Sequence, residues 1–193
     1  MKNNRKISRH GIYIVIIQAV RKYEISEVKM YDIKTTACFT GHREEKLNIA
    51  ADIVKTLLRK EIEKAISVGF NTYISGMAPG VDVWAAEIVL EMKEKNPDIR
   101  LVCALPFEGF DKKRSIEEKE QYYSIMERAD KVEVICSHYS RSCFQLRNKW
   151  MVDNSSLVIA VYNGEKGGTR NTIKYAERCG KGNFQCVHLK IME

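Results

Sequence analysis

From Thr35 onward the hydrophobic positions alternate between two periods. Short continuous apolar runs occur at 35–41 (TTACFTG), 71–76 (NTYISG), 99–106 (IRLVCALP), 131–136 (KVEVIC), 157–162 (LVIAVY) and 184–191 (FQCVHLKI). Their length and β-branched content predict strands. Between the first two, Leu47, Ala50, Ala51, Val54, Leu57, Leu58, Ile62, Ala65 and Ile66 recur at helical spacing and stop at Gly69, predicting a helix over 44–67. Further helices are predicted over 81–95, ended before Pro97, and over 111–130, with Ile116, Tyr123 and Met126 inward. Two more follow, at about 142–153 and after the glycines at 167–168. Strands separated by helices predict an α/β, Rossmann-like, doubly wound and mostly parallel sheet with helices on both faces. Continuous apolar runs suit strands covered on both sides. No linker or repeat interrupts residues 30–193, so one domain is expected there.

Composition adjusts this picture only at its margins. An apolar fraction of 45% with three prolines excludes disordered and collagen-like classes. The net charge of +7 invites a nucleic-acid reading, but +5 of it sits in residues 1–29, leaving +2 for the body. Such a body lacks the clustered basic footprint of a DNA-binding surface. Residues 1–29 are expected to be a basic extension outside the core fold, with surface attachment through IYIVII as the alternative. That run is too short to span a bilayer. The six cysteines (Cys38, Cys103, Cys136, Cys143, Cys179, Cys186) include several in apolar runs and show no CxxC or Cys/His ligand spacing. Reduced thiols in a cytoplasmic protein, with no metal site, are the expectation.

Candidate chemistry gathers where strands end. The first strand ends in TGHR (40–43), the second in SGMAPGVD (75–82) and the fifth in YNGEKGGTRNT (162–172). Each loop combines glycine with hydroxyl or charged residues and enters a helix, whose N-terminal amides attract anions. One such loop is explained by a tight turn, which favours glycine anyway. Three on one rim point to a nucleotide-like ligand. The spacing is neither a P-loop nor a GxGxxG fingerprint. Individual residues keep two readings. His42, the one histidine on this rim, either titrates against a ligand or is a plain surface residue. Arg43 clamps phosphate or opens the next helix, and Asp82 contacts a ribose or only meets a helix dipole. Trp84 stacks on a base or, the stronger reading, packs in the core. Tyr122 and Tyr123 divide between core and surface.

The segments TACFTGHR, YISGMAPGVDVWAAE, ALPF and QLRNKWMVDNSSLVIAVYNGEKGGTRNTIKYAE resemble the YpsA-like proteins, a bacterial and prophage family of the SLOG superfamily. That superfamily also holds the DNA-processing protein DprA and the Lonely-Guy phosphoribohydrolases. The resemblance covers about Thr35 to Gln185 and implies a Rossmann-like fold that binds a nucleotide or nucleotide derivative. It implies phosphate cradling by Gly167, Gly168 and Thr169, with Thr169 also capping its helix. Thr40, Gly41, His42 and Arg43 would line one side, and Ser75, Gly76, Gly80 and Asp82 the other. Arg147 matches the catalytic arginine of the Lonely-Guy R-K-x-x-M pattern, with Asn148 in place of the lysine. The glutamate of their G-T-x-x-E pattern is replaced by Thr172, leaving Asp82 or Glu87 as the carboxylate of any hydrolase. A sensor or regulatory nucleotide-binding protein is therefore the leading expectation. A nucleotide N-glycosidic-bond hydrolase using Arg147 with Asp82 or Glu87 is the second, and a single-stranded DNA binder the third. Superfamily relatives that pair through helices make a homo-oligomer an open expectation.

Overall fold

A computed structural model describes residues 32–47, 49–179 and the backbone of 185–189. The extension expected over 1–29 lies outside the described residues. The apolar runs form β1 (Thr36–Gly41), β2 (Thr72–Ser75), β3 (Arg100–Phe107), β4 (Lys131–Cys136), β5 (Leu157–Val161) and β6 (Gln185–Leu189). The helices are α1 (Ala51–Ser67), α2 (Val81–Lys95), α3 (Ile116–Arg128), α4 (Cys143–Asp153) and α5 (Gly168–Arg178).

The strands make one six-stranded sheet in the order β4-β3-β2-β1-β5-β6, parallel throughout. Because side chains alternate across a pleated strand, β1 sends Ala37 and Phe39 to one face and Cys38 to the other. The Phe39 face packs against α1, α2 and α3, with Tyr73, Leu101 and Ile159 beside it. The Cys38 face carries Ile74, Val102 and Val158 under Met151 and Val152 of α4 and Ile173 and Ala176 of α5. Both faces are thus covered, as the unbroken apolar strands require. α2 buries residues all round its axis because it lies on the sheet between α1 and α3.

The chain winds outward from β1 to β4, then returns through α4 to the other side of β1. That reversal places a topological switch point between β1 and β5, where ligands bind in open α/β sheets.

Two expected helices differ from observation. The helix expected over 44–67 begins only at Ala51, preceded by a single 3₁₀ turn at Glu44–Lys46. This segment is held on the rim instead: Asn163 Nδ2 donates to the Lys46 carbonyl at 2.8 Å. Expected over 111–130, α3 spans Ile116–Arg128 and buries Tyr122 and Ile125, while Ile116 is exposed and Tyr123 and Met126 are half-buried. Ser115 caps α3 in a reciprocal box with Glu118, which puts Ile116 on the solvated first turn. Trp84 is core, with Lys55 Nζ 5.5 Å from its ring.

Candidate functional site

The three glycine-bearing loops follow β2, β1 and β5, which are neighbours in the sheet, so they meet along one rim. Loop one (His42 to Leu47) touches both others. Gly80, at φ +88°, backs onto loop one so closely that an added Cβ would lie 3.0 Å from Arg43 Cα. On the other side, His42 stacks on Tyr162 with ring centres 5.7 Å apart, beside the Asn163 to Lys46 bond.

Loop two is built on a buried polar centre. Ser75, fully buried at the end of β2, donates to the Asp82 carbonyl at 2.7 Å and accepts from the Met77 amide at 3.1 Å. Met77 takes φ +55°, a conformation that costs energy in a non-glycine residue and concentrates at functional sites. Arg114 donates to its carbonyl. The Asp82 carboxylate accepts from the Ala78 amide at 3.3 Å and from Arg147 Nη1 at 3.5 Å, with both charged residues buried. Burial pushes the Asp82 carboxyl up, opposed by the neighbouring guanidinium. Arg147 Nε is buried and meets no hydrogen-bond partner among the described residues.

The glycines of the three loops fall into two kinds. A Cβ on Gly41 would stand 2.4 Å from Val81 Cβ, and one on Gly76 would stand 1.5 Å from Arg147 Nη1. Their glycines are demanded by packing, as that of Gly80 is by its positive φ. Gly167 is extended at φ 165° and Gly168 opens α5, so any residue could adopt either conformation. Apart from its chain neighbours and the backbone of its own helix, no described atom lies within 4 Å of a Cβ built on either. Only the third loop leaves open space above its glycines.

The placement of the remaining expected residues separates them. Thr40 is buried at the end of β1, and Arg43 is exposed beside Gly80. Thr169 is buried inside α5, whose N-cap is Gly167, with no side-chain cap; Thr169 therefore does not cap the helix. Glu87 lies five residues after Asp82, about 140° further round the helix. It accepts from Gln121 Nε2 of α3 at 2.6 Å and so faces away from Arg147. Asn148 Nδ2 donates to Thr172 Oγ1 at 3.0 Å, and that hydroxyl donates to the Gly168 carbonyl at 2.9 Å. The two positions that depart from the phosphoribohydrolase pattern thus satisfy each other.

His42 is 5% exposed, and its Nε2 meets no partner among the described residues. Burial lowers its pKa from the ordinary value, against a smaller opposing pull from Glu165, so the imidazole is neutral near pH 7. Arg114 escaped the sequence reading, and Tyr162 and Asn163 entered it only as part of the loop YNGEKGGTRNT, with no role of their own. A cleft of about 360 Å³ opens beside loop two between Glu44, Gly80, Trp84, Arg114 and Gln121. Among the described residues, no group of His, Cys, Asp and Glu side chains could hold a metal ion, and no helix is long and apolar enough to cross a membrane.

A doubly wound sheet with glycine loops at its switch point defines a Rossmann-like α/β protein. A family model described as the YspA SLOG family matches residues 37–190, and the chain belongs to that family. It is 29% identical over 157 residues to a UPF0398 protein of Bacillus thuringiensis (strain Al Hakam), spanning 77% of this chain and 85% of the relative. A UPF0398 protein of Bacillus cereus (strain B4264) is 28% identical over the same length. Among solved structures, the fold is similar to DNA processing protein A from Helicobacter pylori, described for its single-stranded DNA binding mode. That likeness has a TM-score of 0.57 at 16% identity, over 85% of this chain and 69% of the other. The Streptococcus pneumoniae protein gives 0.54 at 13% identity, and this chain covers 80% of itself and 50% of that structure. At such identities the likeness is one of fold.

Proposed function

We propose that this chain binds a nucleotide or nucleotide derivative as a sensing or regulatory protein, with the ligand's phosphates at Gly167, Gly168 and Thr169. The observation that carries this reading is the open space above two glycines that neither backbone nor packing requires. Glycine at such a place lets backbone amides approach an anion, and the N-terminus of α5 adds its dipole. The buried, unpartnered Nε2 of His42 on the adjoining loop supports it, since a buried polar atom without a partner is costly.

Binding is favoured over hydrolysis by the fate of the candidate catalytic groups. Asp82 and Arg147 engage each other, Glu87 is turned to Gln121, and the Asn148–Thr172 bond occupies the pattern's lysine and glutamate positions. Free base released from a nucleoside monophosphate, and lost in Asp82→Asn, would replace this reading with the hydrolase.

The test is a thermal-shift panel of nucleoside mono-, di- and triphosphates, NAD, ADP-ribose and cyclic nucleotides. A ligand at about 100 times its Kd adds about 2.7 kcal/mol. For a chain of this size that raises Tm by roughly 5–10 °C. Gly168→Glu should abolish the shift while leaving the unliganded protein as stable, because the new side chain enters open space and its charge suits a helix start. No shift with any compound, or one that persists in Gly168→Glu, sinks the reading.

A further inference from the structure

Beyond the carboxyl ends of β3 and β4, four aromatic rings form one cluster. Phe107 meets Phe110 at 5.9 Å, Tyr139 at 5.3 Å and Phe144 at 5.9 Å, and Phe110 meets Phe144 at 5.8 Å. Every contact is edge-to-face, a geometry that holds rings firmly while using at most one face of each partner. At least one face of Tyr139 is therefore left uncovered by Phe107. Tyr139 is 65% exposed and Phe144 38%.

The cluster is continuous with the site. Phe144 lies on the first turn of α4, three residues before Arg147 and on the same side of the helix. The Arg114 guanidinium stands 5.5 Å from the Phe110 ring centre and donates to the Met77 carbonyl of loop two. In the sheet, β3 is three places from β5, so the carboxyl ends of the two strands stand about 14 Å apart along the rim. That span exceeds a ribose with one phosphate and suits a ribose with two or three. Between the two ends lies Gly76, whose missing side chain keeps the rim low over Arg147.

We propose that Phe107, Phe110, Tyr139 and Phe144 form a stacking platform for the base of a nucleoside di- or triphosphate whose phosphates lie at Gly167–Thr169. This rests on the nucleotide reading above and adds the ligand's length and the seat of its base. Stacking tolerates any base, because each has a π-face.

Isothermal titration of the full chain with ADP, GDP, CDP and UDP, and with pyrophosphate as the base-free probe, tests it. The diphosphates should bind about tenfold or more tighter than pyrophosphate. Tyr139→Ala/Phe144→Ala should lose that margin with pyrophosphate affinity unchanged, and Tyr139→Phe should retain it. Tyr139 is exposed, so Tyr139→Ala alone, with an unchanged melting temperature, guards against a folding defect. Diphosphates that bind the double variant as they bind the wild type, or no tighter than pyrophosphate, overturn the platform and leave the nucleotide reading standing. No binding by any probe at millimolar concentration overturns both.

Discussion

An alanine at position 76 would set its Cβ 1.5 Å from Arg147 Nη1 and 2.7 Å from Asp82 Oδ2, forcing a buried ion pair apart. Gly76→Ala should cost about 3 kcal/mol, seen as a lowered urea midpoint. Gly168→Ala should do the reverse, adding about 0.4–1 kcal/mol by narrowing the unfolded ensemble. Finding both neutral would contradict the division of the rim glycines into packed and open kinds. That division was hidden in the sequence, where TGHR, SGMAPG and EKGGT look alike. The atoms that distinguish them are Val81 for Gly41 and Arg147 for Gly76, both remote along the chain. His42 makes a prediction of opposite origin. Its folded pKa is depressed by burial, so below its unfolded value, about 6.5, the unfolded chain binds more protons than the native one. The stability it contributes is present above that value and is lost as pH falls through the folded pKa. Urea midpoints at pH 8 and pH 5 should therefore fall more in the wild type than in His42→Gln.

At the scale of elements, alternating strands and helices were legible because β1, β2, β3 and β5 are buried along nearly their whole length and their runs are mostly apolar. α2 and β4 have the expected bounds. The misplacements fall where tertiary contacts override periodicity. Residues 44–50 have helical spacing, yet Asn163 and Gly80 hold the start of that stretch on the rim. In α3, Ser115 with Glu118 carries the spacing of a capping box. Reading it would have started the helix at Ile116 and put that residue on the solvated first turn; Tyr123 and Met126 do pack against the core, at the margin of a face centred on Tyr122 and Ile125. Ser115→Ala should cost about 1 kcal/mol, lowering Tm by roughly 2–4 °C. A change within error would mean that Glu118 and the neighbouring packing fix the helix start without the hydroxyl.

For the whole molecule, the sheet order decides what motif spacing alone could not. It makes the loops after β2, β1 and β5 adjacent and sets the aromatic cluster beyond β3 on the same edge. That cluster was unread because its rings come from a strand end, two loops and the first turn of α4, separated by up to 37 residues. The near-neutral charge of residues 30–193 argues at this scale too. A labelled single-stranded oligonucleotide should bind weakly and with a shallow dependence on salt; a steep dependence would indicate several phosphate contacts and bring back the DNA-binding alternative. The Asn148–Thr172 hydrogen bond, described above as a departure from a catalytic pattern, has a mechanical meaning as well. It fastens the helix bearing Phe144 and Arg147 to the helix that begins at Gly168. Sliding the two helices past one another would break it, so the bond ties the position of Phe144 to that of the turn at Gly168. If base and phosphates seat as proposed, that tie fixes the distance between their two seats.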